Sequence, residues 1–85
     1  MVESKFTLLN ETGFHARPAS IFVKAATAYK SEVFIIKDDE KYNAKSIMGL
    51  LSMGAGKGTE ILLQIDGEDE GAATEELLEI LRTMD

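Results

Sequence analysis

The chain carries one histidine, His15, and the tripeptide Ala16-Arg17-Pro18 follows it directly. Proline is tolerated in the first turn of a helix, where its missing N–H removes no intrahelical bond, so this tripeptide reads as the opening of a helix. His15 is then the N-cap residue. The amides of Ala16 and Arg17 project from the helix start, beside its partial positive charge. A phosphoryl group placed on the imidazole would meet those two amides and the guanidinium of Arg17. Gly13 lets the preceding loop turn back and leaves the ring approachable. Spacing alone keeps a second reading open, in which His15 is a surface residue near a helix start with no chemical task.

The surroundings of His15 restrict the chemistry further. The chain has no cysteine and no second histidine, so neither a thiolate or His-rich metal site nor a cysteine–histidine catalytic set can be built. No acid follows His15 closely enough in sequence to orient the ring, although Glu11 precedes it. A hydrolase is therefore disfavoured. A lone histidine suits a group that another protein's machinery delivers and removes.

Gly54-Ala55-Gly56-Lys57-Gly58-Thr59 superficially suggests a nucleotide loop. It fails the phosphate-loop template, because Leu51 occupies the required first glycine and Gly58 follows the lysine where Ser or Thr must stand. It also precedes a strand rather than a helix. It reads as a turn, and an ATPase is rejected.

Ser46 precedes a short apolar stretch, Ile47 to Met53, and is placed to cap a two-turn helix. Ile47, Met48 and Leu51 are more apolar than a two-turn surface helix requires. Core burial accounts for some of them; the resemblance of this segment to a known family, rather than its apolarity, makes Ile47, Met48 and Leu51 candidates for an exposed docking patch. Arg17, Lys24 and Lys45 would form a basic rim to that patch, suited to transient partners with acidic borders. Ser20 and Lys24, one and two turns beyond Ala16, fall on the same helix surface.

The elements that must hold these residues follow from periodicity. Val2 to Leu9 alternates Phe6 and Leu8 with Lys5 and Thr7, a half-buried strand. Ala19, Phe22, Val23 and Ala26 then recur with helical spacing. Glu32 to Lys37 is a β-branched and aromatic run, Asp38-Asp39-Glu40 a polar turn, and Lys41 to Ala44 a short returning strand. Glu60 to Asp66 places Ile61, Leu63 and Ile65 on one face. Ala73, Leu77, Ile80, Leu81 and Met84 mark a last amphipathic helix, with Glu75 and Glu76 near its positive end. The order βαββαβα predicts an α+β fold, one domain over residues 1–85, with three helices on one face of a mainly antiparallel four-stranded sheet and a solvated face opposite.

Composition sets outer limits. A chain of 85 residues with 45% hydrophobic content supports one small core. The net charge of −6 argues against general nucleic-acid binding. All 15 acidic residues avoid the windows Thr12 to Ser31 and Lys41 to Thr59, which hold Arg17, Lys24, Lys30, Lys41, Lys45 and Lys57. If these windows share a face, an acidic protein presents a locally positive surface. No run of about eighteen apolar residues exists and no basic-then-apolar leader opens the chain, so it reads as soluble and cytoplasmic. Nothing in it demands more than a monomer.

Gly13-Phe14-His15-Ala16-Arg17-Pro18-Ala19 resembles the active-site motif of HPr, the phosphocarrier family of the bacterial phosphoenolpyruvate-dependent sugar phosphotransferase system. Lys45-Ser46-Ile47-Met48-Gly49-Leu50 resembles that family's second motif, at the expected separation. The resemblance covers the whole chain in length and element order. It implies an open-faced β-sandwich, phosphorylation of His15 at Nδ1 by phospho-enzyme I, and passage of the group to the A component of a sugar-specific enzyme II. It implies that Arg17 accompanies the phosphohistidine and that the carrier needs no bound cofactor and is a substrate of its partners rather than an enzyme. It also implies regulation at Ser46 by an HPr kinase/phosphorylase, read in some members by a transcriptional regulator. Two alternatives stay within the family: a nitrogen-branch carrier, and a regulatory paralogue acting mainly through protein contacts. The known paralogue type lacks the active-site histidine, which weighs against that as the sole role here.

Overall fold

The computed structural model describes residues 1–84. Its elements run β1 Val2–Thr7, α1 Ala16–Thr27, β2 Glu32–Lys37, β3 Glu40–Asn43, α2 Ile47–Ser52, β4 Glu60–Asp66 and α3 Glu70–Thr83. The strands form one antiparallel sheet in the order β1-β4-β2-β3. The last strand thus lies between the first two, and only β2 and β3 are joined by a tight hairpin. This is the predicted α+β arrangement.

Alternation decides which face of each strand is buried. Val33 and Ile35 of β2 pair across Ile65 and Leu63 of β4, and all four are buried beneath the helices. Helix α1 contributes Ala19, Phe22, Val23 and Ala26 to the same core, α2 contributes Leu50, and α3 contributes Ala73, Leu77 and Leu81. Each large side chain buried this way contributes about 1.5–3 kcal/mol relative to exposure. The core therefore fixes the rotation of all three helices, and with it the residues they present to solvent.

Several boundaries differ from the periodic reading. Strand β1 ends at Thr7, because Leu8 leaves it to exchange backbone bonds with the loop before β4: its N–H donates to Thr59 and its carbonyl accepts from Gly58 at 2.7 Å. The β2–β3 turn uses two residues rather than three. Asp38 and Asp39 both take positive φ, 52° and 67°, as a two-residue hairpin with a matching twist requires, which returns Glu40 to the strand opposite Lys37. Helix α3 starts at Glu70, so Glu70 is the acidic residue of its first turn, and Glu75 and Glu76 lie further along. The open sheet face is also less polar than alternation in β1 suggested. Phe34, Ile36 and Leu62 lie half-buried there, and the Lys41 ammonium sits 4.2 Å from the Phe34 ring centroid.

Candidate functional site

His15 is the N-cap of α1, with extended backbone at φ −99° and ψ −174°. Its carbonyl accepts the first intrahelical bond, from Ala19 at 3.0 Å. Its imidazole makes no capping hydrogen bond, and the side chain is exposed. The amides of Ala16 and Arg17 have no carbonyl a turn earlier to meet, so they remain directed out of the helix start. Arg17 is exposed beside them, and Pro18 is buried. His15, Arg17, Pro18, Ile21 and Met84 together line a shallow depression of about 110 Å³.

The loop before His15 is held from both sides. Phe14 is buried and packs edge-on against Phe22, with ring centroids 5.4 Å apart, so the residue preceding His15 is anchored in the core. The Phe14 N–H donates to the Ala55 carbonyl at 3.1 Å. Gly13 has a φ of +60°, and a Cβ at that position would lie 2.1 Å from the Ala55 oxygen. The Asn10 side-chain amide donates to the Gly13 carbonyl at 2.8 Å, and Lys57 pairs with Glu11 at 3.2 Å. The glycine-rich segment read from the sequence as a mere turn is therefore the wall against which the histidine loop is built. Its pairing partner lies some forty residues away, and no local pattern announces it.

Ser46 is the N-cap of α2, and its Oγ accepts the Gly49 N–H at 3.1 Å. Gly49 packs closely on this cap: a Cβ there would stand 3.0 Å from the Asn43 carbonyl oxygen. Of α2, only Leu50 is fully buried, whereas Ile47, Met48 and Leu51 are exposed, Met48 to 75%. These three belong to the surface rather than the core. On α1, Ser20 and Lys24 are exposed as expected, and so is Ile21, at 50%. Sequence reasoning passed over Ile21, although its spacing of four from Arg17 and three from Lys24 puts it on their face.

The basic residues do not all share one surface. Lys45 is half-buried, and its ammonium donates to the Tyr29 carbonyl at 2.8 Å, joining the start of α2 to the end of α1. It is a tie between elements more than a free rim charge. Lys41 lies on the open sheet face, since it pairs opposite Ile36, whose neighbour Ile35 points into the core. Lys30 pairs with Glu68 at 3.3 Å and Lys57 with Glu11. Arg17 and Lys24 stand exposed on α1, each lining a depression with Ile21.

A second polar cluster lies at the far end of α1. Asp69, the N-cap residue of α3, accepts from the backbone N–H groups of Lys30 at 2.8 Å and Ser31 at 2.9 Å, and from the buried Ser31 hydroxyl. The Ser31 hydroxyl, then the Lys30 amide, hold its carboxyl down at about 2. Tyr29 donates its hydroxyl to Glu76, and this hydrogen bond, ahead of desolvation, raises the Tyr29 pKa. This cluster fastens α1, β2 and α3 to one another.

Comparison with known proteins agrees with this fold. Residues 2–83 match the family model described as the PTS HPr component phosphorylation site. The HPr-like protein Crh of Bacillus subtilis is 49% identical over 77 residues, covering 91% of each chain. Phosphocarrier protein HPr of Neisseria meningitidis is 41% identical over 81 residues, 95% of this chain and 91% of that one. A solved HPr from Thermoanaerobacter tengcongensis superimposes with a TM-score of 0.94 at 40% identity, covering 98% of this chain and 93% of its own. With the family matched along nearly its whole length and the fold reproduced element for element, this chain belongs to the HPr family, the phosphocarriers of the bacterial phosphotransferase system.

Proposed function

We propose that the chain receives a phosphoryl group on His15 from phospho-enzyme I and passes it to the A component of a sugar-specific enzyme II. The observation that carries this reading is the exposed, uncapped imidazole of His15 at the start of α1, next to Arg17. A ring nitrogen of His15 attacks phosphorus, a P–N bond forms, and the bond from phosphorus to the donor breaks with its electron pair left on the donor. The amides of Ala16 and Arg17 and the Arg17 guanidinium offset the charge of the bound phosphoryl group. Incubation with phosphoenolpyruvate, magnesium and enzyme I tests the reading. An acid-labile phosphate on His15 is expected, and no labelling under conditions that label a known HPr would refute it.

Partners dock, in this reading, on the apolar patch of Ile47, Met48, Leu51 and Ile21, with Arg17 and Lys24 beside it. Ser20 lies on the same helix surface and Lys45 at its edge. Acid-bordered partners complement it, and the association is transient, as a relay requires. In this reading the protein works in the cytoplasm, and no described helix is long and apolar enough to cross a membrane.

Phosphorylation of Ser46 by an HPr kinase/phosphorylase is the regulatory half of the proposal. The hydroxyl lies at the positive end of α2, beside the exposed Ile47 and Met48, so a phosphate there places negative charge on the docking surface. A second reading, a regulatory paralogue that speaks to a transcriptional partner through Ser46, takes its support from the 49% identity to Crh. Transfer from enzyme I to His15 separates the two.

A further inference from the structure

We infer that Met84 is a positioning residue for His15, closing the apolar side of the site in which the imidazole must be held. This rests on the reading of His15 as the phosphoryl acceptor and adds a residue from the opposite end of the chain.

Three observations converge. The His15 side chain makes no capping hydrogen bond at the helix start, so the cap does not set its orientation. The depression at its flank is completed by Pro18 and Ile21 of α1 and by Met84, the residue that follows α3. Met84 is itself constrained: its backbone leaves the helix in extended conformation, at φ −71° and ψ 148°, and its side chain packs against the core. His15 thus shares one depression with the Arg17 side chain and with the apolar side chains of Pro18, Ile21 and Met84. A flexible thioether suits such a wall, because an apolar chain of that length can follow an irregular surface.

The consequence has two parts. Packing against the apolar wall limits the rotamers open to the ring and so keeps a nitrogen turned toward the amides. The same wall restricts water at the phosphorylated ring. Hydrolysis forms a bond from water oxygen to phosphorus, breaks the P–N bond, leaves the electron pair on nitrogen and returns a proton to the ring. Excluding water from one flank slows that loss without hindering a partner that approaches from the open side.

The experiment compares the full chain with Met84→Ala, Met84→Gln and Met84→Leu. Side-chain NMR relaxation of the unphosphorylated His15 ring is measured first, and then the lifetime of the phosphohistidine. Ring mobility is expected to rise in the Ala and Gln variants, and the phosphohistidine lifetime to fall roughly threefold or more, with Leu restoring both. Thermal unfolding of each variant runs alongside. A ring as rigid as in the parent protein in both Ala and Gln variants overturns the inference, whatever happens to the melting temperature. So does an unchanged lifetime in both. Because the ring measurement needs no phosphate, a failure of His15 to accept phosphate is recognised separately.

Discussion

The carbonyl oxygen of Ala55 accepts the N–H of Phe14 at 3.1 Å, and this bond sets the histidine loop against the glycine-rich segment before β4. Gly13 sits so close to the same oxygen that no side chain fits between them. Gly13→Ala is therefore expected to combine a steric clash with left-handed backbone strain, the strain alone costing on the order of 1–3 kcal/mol. Gly54→Ala is the control, since its φ is +67° but nothing lies within 4 Å of an added Cβ. Urea denaturation should rank Gly13→Ala clearly below Gly54→Ala. Equal loss in the two would mean that the close approach to Ala55 contributes nothing.

Arg17→Ala should slow phosphoryl transfer roughly tenfold, the equivalent of one charge-assisted hydrogen bond at its weak end. Stability should change by no more than about 0.5 kcal/mol, because the side chain is exposed. Stopped-flow transfer and thermal unfolding measure the two separately. An unchanged transfer rate contradicts the role assigned to this guanidinium.

Ser46 has two tasks that one variant separates. Ser46→Ala removes the acceptor for the Gly49 N–H and should cost about 1 kcal/mol. The same variant should lose all acid-stable label from ATP and an HPr kinase. Label retained in Ser46→Ala places the modified residue elsewhere, whereas unaltered stability removes the capping role alone.

Acid stability should depend on Asp69. Its carboxyl is held at about 2 against an ordinary 3.8, so it favours the folded state in its charged form. That contribution is complete above the ordinary value, declines as pH falls through it toward 2, and is absent below. Asp69→Asn should lower stability at neutral pH and flatten the pH dependence across this interval. Denaturant midpoints measured from pH 5 down to about pH 2 check this. A variant with the same slope as the parent would show that another carboxyl carries the acid response.

The position of His15 and Arg17 at a helix start was legible in the sequence because a helix start is local: a proline in the first turn fixes which amides are free and which residue caps them. The sheet was legible for a similar reason, since alternation in β4 alone identifies Ile61, Leu63 and Ile65 as the buried face. Ala55 and Met84 were not, because backbone pairing and the docking of α3 bring them to His15 from distant parts of the chain. The tie from Lys45 to the Tyr29 carbonyl was not legible either, as Tyr29 lies in the distant connection between α1 and β2. Asp38 and Asp39 show a subtler limit. Aspartate is a poorer occupant of left-handed backbone than glycine, so a three-residue turn was the natural reading until strand pairing placed Glu40 opposite Lys37.

The relay itself is tested most directly by a chase. The chain is phosphorylated with enzyme I, freed of phosphoenolpyruvate and donor, and mixed with an enzyme II A component while phosphate is followed on both proteins. Phosphate should leave His15 and appear on the A component one for one, with none carried by His15→Ala. Loss of phosphate from His15 as free phosphate, with none arriving on the acceptor, would contradict the account.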